Sequence, residues 1–274
     1  MIASAATMLT PQARSFVDKW LVQEPEMEFA LLFVPAPARA LAACWGALQN
    51  ELFDAMSQPR DAGVAQVKLA WWGEALARGA GDAAAHPLVR ALFGHAAVGR
   101  VPADDWRTLV HAALQLGTHD ATPVDVPDAL RVRTAYAEAI VDLDAQLFAA
   151  TPSNGAAAAV SVGLLLRQLR AALRGRAARV PVVPLQLLAR HGRRAAAFDA
   201  RPLDAAGASL LADFARALET SLPHGVGGSA MLRCRGRFDG RLLRAIAARP
   251  AAESAELSRW NALWTAWRAA RGGG

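Results

Sequence analysis

The sequence predicts an all-α fold in one domain, and three observations carry the prediction. Alanine fills roughly a quarter of the chain, far above ordinary usage, and it is the strongest helix former. Tyr occurs once, and β-branched and aromatic residues are sparse, which withholds the side chains that strands favour. Apolar residues recur at helical spacing along most of the 274 positions, with no convincing strand ladder and no repeat of fixed period. With 54% hydrophobic residues the chain can bury enough surface to offset its ordering entropy, so disorder is excluded as the main state. The length suits one large domain or two small ones, and a single domain over 1–274 is the economical reading.

The first predicted helix covers 37–56 and stops at the turn Ser57-Gln58-Pro59-Arg60-Asp61. The second covers 62–78 and is ended by Gly79-Ala80-Gly81. After a connector at 82–86, Pro87 opens a short helix to 95; proline is tolerated there because the first helical N–H has no intrahelical partner to lose. Pro102-Ala103-Asp104-Asp105 starts the next, with acids where the helix dipole favours them, and it runs to 116. A loop at 117–127 precedes a helix over 128–150. The break Thr151-Pro152-Ser153-Asn154-Gly155 introduces a strong helical pattern ending at 173. Pro181 and Pro184 interrupt before a short helix over 185–190, closed at His191-Gly192. Helices over 205–222 and 240–248 follow, and a Trp-rich one over 254–271 comes last.

Several classes are excluded at this level. Cys44 and Cys234 stand far apart with no CxxC or Cys/His cluster, so neither a disulfide framework nor a zinc site is expected. The start of the chain lacks the charged segment and apolar run of a signal peptide. A cytoplasmic, reducing location is the expectation. The longest uncharged apolar stretch, 155–166, falls well short of the roughly 20 residues of a membrane span, so a spanning helix is excluded and contact with a membrane surface is not. A net charge of +6 spread over the whole chain, without a recognised binding motif, argues against a nucleic-acid partner. Ser161 lacks a nucleophile elbow, and phosphate-cradling Gly-rich loops are absent. The six histidines read as structural or exposed.

One short segment has the spacing of a metal site. On a helix, Glu51 and Asp54 share a face and Asn50 borders it, an arrangement able to hold Mg²⁺ against a phosphate. The same spacing is also that of an ordinary solvated helix face. Downstream stand Lys68-Leu69-Ala70-Trp71-Trp72 and His86-Pro87-Leu88-Val89-Arg90-Ala91-Leu92, and further on Pro184-Leu185-Gln186-Leu187-Leu188-Ala189-Arg190-His191-Gly192.

In this order, and with Tyr136 in a central helix, these pieces closely resemble the squalene/phytoene synthase family over 29–192. The resemblance implies an isoprenoid-synthase-like helical bundle around a central cavity. In active members two aspartate motifs face each other there and hold Mg²⁺ against the diphosphates of two isoprenoids, which are joined head to head. It also implies a place near the cavity for Trp71 and Trp72, although core packing alone would account for both.

Residue by residue, the chain departs from that pattern. The first motif, DDxxD in the family, reads Asn50-Glu51-Leu52-Phe53-Asp54, so two carboxylates remain as vestigial metal positions. The second falls on 167–175, where the aspartate positions are Ala171 and Gly175. Between Asp144 and Asp199 no acid occurs, while Arg167, Arg170, Arg174, Arg176, Arg179, Arg190, Arg193 and Arg194 accumulate. Such a wall repels Mg²⁺ and attracts phosphate, to which guanidinium groups bond in bidentate fashion. Three readings follow: a solvated arginine face, an inward anion site at Arg167, Arg170 and Arg174, or salt bridges from Glu51 and Asp54 to Arg167 or Arg174 across the old cavity.

The expectation is therefore a degenerate family member, similar to its non-catalytic branch, which includes a mitochondrial complex I assembly factor. Such a protein has lost Mg²⁺-dependent prenyl transfer, needs no cofactor, and binds an isoprenoid diphosphate or phospholipid, or serves as an assembly scaffold. The alternative is an active prenyltransferase with a non-standard site, using Mg²⁺ at Glu51 and Asp54. In the last helix Trp260, Trp264 and Trp267 share one face, which either docks on the domain or meets a membrane surface or protein partner with Arg268 and Arg271 nearby.

Overall fold

Several helices begin where a side chain accepts from one of the first unpaired backbone N–H groups, and these starts mark out much of the architecture. In the computed structural model, residues 9–57, 61–79, 86–174, 183–194, 203–250 and 256–271 are described. They form thirteen α-helices, and no strand occurs among the described residues.

Thr10 caps α1 (Pro11–Gln23), its hydroxyl accepting from the Ala13 N–H at 3.2 Å, with Pro11 in the first turn. A three-residue connection, Glu24-Pro25-Glu26, leads to α2 (Met27–Leu32), and a 3-10 turn at Ala36–Ala38 to α3 (Arg39–Ser57). Asp61 caps α4 (Ala62–Arg78), and the Nδ1 of His86 accepts from the Leu88 N–H to cap α5 (Pro87–Phe93). Then come α6 (Ala103–Gly117), α7 (Val126–Arg131), α8 (Thr134–Phe148), α9 (Ala156–Leu173) and α10 (Leu185–Arg190). Asp204 caps α11 (Ala205–Thr220), Ser229 caps α12 (Ala230–Ala248), and α13 (Arg259–Arg271) is the last.

The all-α expectation holds, with three differences of detail. Helices α1 and α2 precede the first predicted one. The helix predicted over 128–150 divides into α7 and α8 because Arg133 turns inward at the junction; its guanidinium donates to the Ala129 carbonyl at 2.6 Å and to Gln168 at 2.5 Å. The helix predicted over 240–248 is the second half of α12. The positions Gln58, Pro59, Arg60, Ala80, Gly81, Gly175, Arg176, Arg179, Pro181 and Ser254, which figure in the sequence reading, lie outside the described residues.

Two apolar cores meet along α9. Its Val160 and Leu164 join a core with residues of α1, α3, α4, α5, α6 and α8, including Trp20, Trp45, Trp106 and Tyr136. Its Val162, Leu165, Leu166 and Leu169 join a second core with α10, α11 and α12, around Phe214, Leu218 and Leu243. A helix enclosed on both sides must be apolar almost all round. By length and composition α9 would therefore pass for a membrane span, contrary to the sequence-based exclusion, and here 72% of it is buried within the fold. Two close approaches set the spacing of its neighbours. The ring of Trp20 lies where a Cβ on Gly46 would stand, 2.4 Å away, which draws α1 onto α3. A Cβ on Gly163 would meet the Asp239 carboxylate at 2.6 Å, so glycine lets α12 close on α9.

Candidate functional site

The α1–α2 turn supplies two acids to the interior. Glu24 ends α1, with its N–H on the Trp20 carbonyl, and Glu26 begins α2; both are buried. Facing them, one and two helical turns apart, α9 presents Arg167, Arg170 and Arg174, and α12 presents Arg235 and Asp239.

Arg167 stands at the centre. Its Nε lies 2.9 Å from Glu24, its Nη2 donates to Asn50 Oδ1 at 3.2 Å, and its guanidinium covers the Phe53 ring at 4.3 Å. Glu24 also accepts from Trp20 Nε1 at 3.2 Å and from Arg235 at 2.5 Å. Arg170 holds Glu26 in a two-pronged pair, at 2.5 and 3.3 Å, with both side chains almost wholly buried. Arg174 donates to the Gln23 carbonyl at 3.1 Å and lies 3.8 Å from Glu256. The three arginines of the sequence-predicted site thus point inward, which overturns the solvated-face reading for them, and their partners include acids that lie far upstream.

Asn50, Glu51 and Asp54, which the sequence offered as metal positions, lie in the same region. Asn50 accepts from Arg167. The ammonium of Lys19 lies 2.7 Å from Glu51 and 2.8 Å from Asp54, and Gln23 donates to Asp54 at 3.4 Å. A cation from α1 therefore occupies the position between the two carboxylates. Among the described residues no group of three His, Cys, Asp or Glu side chains converges as a metal site.

The electrostatics follow from burial opposed by pairing. Burial alone would push the Glu24 carboxyl up, but Arg167, Arg235 and Arg170 outweigh it and hold Glu24 below the usual carboxylate range. Burial works on Lys19 in the opposite sense, and Asp54 and Glu51 more than offset it, so its ammonium is held above the ordinary lysine value. Burial lowers Arg167, with Glu24 opposing. Asp239 is pushed up to about 7 by burial, against the pull of Arg235, and its Oδ2 has no hydrogen-bond partner among the described residues. Tyr136 is buried beside Arg167 and Arg235, and burial raises its hydroxyl above the ordinary tyrosine value. That hydroxyl and Asn50 Nδ2 are likewise unpartnered among the described residues.

The remaining space decides what the site can hold. The residues that the resemblance sets across a cavity leave a pocket of about 20 Å³, lined by Gln23, Glu24, Phe53, Arg167, Arg170, Ala171 and Arg174. That volume suits roughly one water molecule, whereas ligand pockets run to about 300–1,000 Å³. Trp71 and Trp72 are not among its lining residues. They form an aromatic cluster with His86, at 5.5 and 5.0 Å, in which Trp72 is buried and Trp71 is 43% exposed.

A larger groove of about 870 Å³ lies elsewhere, between the chain around Phe33, the end of α8 and the glycine-rich approach to α12. Arg233 on its wall donates to the Gly228 carbonyl at 2.5 Å, and Ser229 bonds the buried Asp144, whose carboxyl burial pushes up to about 6. None of the sequence-predicted site residues lines this groove.

Glu24, Glu26, Lys19, Arg235 and Asp239 escaped the sequence reading. A signal for the first three was present: Thr10-Pro11 is a helix start and Glu24-Pro25-Glu26 a break, which together announce an N-terminal helix with acids at its exit. No protein-family model matches the chain, and no curated protein matches it significantly.

Proposed function

We propose that the protein is a squalene/phytoene synthase-type helical protein that has exchanged Mg²⁺-dependent prenyl transfer for a self-satisfied polar interior, and that it acts as a non-catalytic assembly or binding scaffold. The observation that supports this most is the Arg167–Glu24–Arg235 and Arg170–Glu26 pairing. Head-to-head coupling requires metal-held diphosphates, because the departing diphosphate carries charge that only preorganised cations neutralise. Here the second motif offers guanidinium groups, the first offers two carboxylates already joined to Lys19, and the pocket between them takes about one water.

The test is incubation of the full chain with farnesyl or geranylgeranyl diphosphate and Mg²⁺, with release of diphosphate as the readout. The expected result is no release above a blank. Turnover would overturn the reading in favour of an active transferase, with Glu51 and Asp54 exchanging Lys19 for the metal.

A second reading, metal-free binding of a diphosphate or phospholipid headgroup, draws support from the three arginines lining the small pocket, with the Arg174 side chain 26% exposed. It requires the anion to displace Glu24 and Glu26. Inorganic diphosphate in EDTA would then raise Tm, and Arg174→Ala would weaken the response.

A further inference from the structure

Helix α13 turns its faces the opposite way from an ordinary surface helix. Its small residues Ala262, Thr265, Ala266 and Ala269 are buried, and it packs on α12 and α2. Cys234 Sγ and Arg233 Nε of α12 approach the Ala266 and Ala269 carbonyls at 3.8 and 3.4 Å. At 3.6 residues per turn the tryptophans fall on the side directly opposite this seam. Trp260 is 80% exposed and Trp264 52% exposed, while Trp264 stacks on Trp267 with ring centroids 4.6 Å apart. Scattered exposed apolar residues are ordinary; two tryptophans aligned on one outward stripe are not.

The charge on the same helix has one sign. Arg259, Arg268 and Arg271 are exposed, and the thirteen residues of α13 contain no acid. Arg271 lies over the Trp267 ring at 4.4 Å and Arg259 over Phe29 at 5.5 Å, so the cations sit at the level of the aromatic rings. Glu256, just ahead of the helix, is turned to Arg174. Thirteen residues at about 1.5 Å each reach roughly 20 Å, too short for the ~30 Å hydrocarbon core, so the helix can lie on a bilayer and not cross it. Indole rings favour the headgroup boundary, and arginines complement anionic lipid.

We propose that α13 is an interfacial helix that seats the protein on an anionic phospholipid surface through Trp260, Trp264, Arg268 and Arg271. This holds whether or not the interior transfers prenyl groups. The experiment is co-sedimentation of the full chain with vesicles of phosphatidylcholine alone and of phosphatidylcholine with phosphatidylglycerol. Binding is expected only to the second, with a blue shift of tryptophan emission and quenching by brominated lipid in the wild type, a readout that needs no variant. Each arginine removed should weaken binding about fivefold. Trp260→Ala/Trp264→Ala keeps the charge and the buried seam, and should weaken it about tenfold or more with unchanged far-UV circular dichroism. The proposal is overturned by no binding to anionic vesicles at low salt, by binding that the double tryptophan variant leaves intact, or by tryptophan-dependent dimerisation without vesicle binding.

Discussion

Replacing Arg170 by methionine isolates the energetic core of the interior network. The substitution keeps a long apolar stem but removes both N–H donors from Glu26, whose side chain is 3% exposed. Glu26 cannot recover its hydration there, so its carboxylate is left buried and unpaired. Breaking one side of a buried pair in this way costs about 3–5 kcal/mol. For a chain of this size each kcal/mol moves Tm by about 2–4 °C, so the fall should be about 6–20 °C. Arg170→Met/Glu26→Leu removes both charges and should recover most of the loss, because well-packed apolar pairs replace buried ion pairs at little cost. Thermal and guanidinium unfolding of the wild type, the two single variants and the double variant complete the cycle. A loss of about 0.5 kcal/mol or less in Arg170→Met, the behaviour of a surface residue, would refute the buried-network account.

Two other outcomes follow from the same geometry. Lys19→Ala removes the ammonium between Glu51 and Asp54, so millimolar Mg²⁺ should raise the Tm of the variant and leave the wild type unmoved; equal responses would show that Lys19 does not hold the cation position. Asp239 and Asp144, pushed up by burial to about 7 and about 6, keep a proton in the folded chain that the unfolded chain gives up near pH 4. Their stability contribution is therefore complete below about pH 4 and is lost as pH rises through 6 to 7, while the contribution of Glu24, held low, is lost as pH falls below the ordinary carboxylate range. Guanidinium unfolding between pH 5 and 8 should show falling stability, and Asp239→Asn should flatten the fall; a profile that the variant leaves unchanged would count against the buried position of that proton.

Much of the architecture was legible because helical periodicity and punctuation are local signals. The breaks at Pro87, at 151–155 and at Pro184 fell where helices end and begin. The reading over 240–248 missed the first half of α12, where Gly236 lies inside the helix because a Cβ there would meet Val226 at 2.7 Å. The site was half legible. Spacing set Arg167, Arg170 and Arg174 on one stretch of helix, but the salt bridges expected from Glu51 and Asp54 run to Lys19, and it is Asn50 that reaches Arg167. What spacing could not supply was the sign of the opposite wall. Glu26 sits 144 positions from Arg170 and Glu24 sits 211 from Arg235, separations across which no periodic pattern operates. The inverted amphipathicity of α13 was equally out of reach, since a wheel identifies a Trp face and an Ala face but not which of them the fold covers.

The long sequence separations in the ion network bear on how the chain folds. The Arg170–Glu26 contact spans 144 positions and the Arg235–Glu24 contact 211. On an elongating chain the acids at the exit of α1 emerge long before the guanidinium groups that neutralise them. Until α9 and α12 arrive, α1 and α3 can dock through Trp20 and Gly46, yet Glu24 and Glu26 stay hydrated and resist burial. Contacts of such long separation cost more loop-closure entropy than the local contacts of a helix. The charged pairs therefore tie burial of the amino-terminal turn to docking of the carboxy-terminal helices.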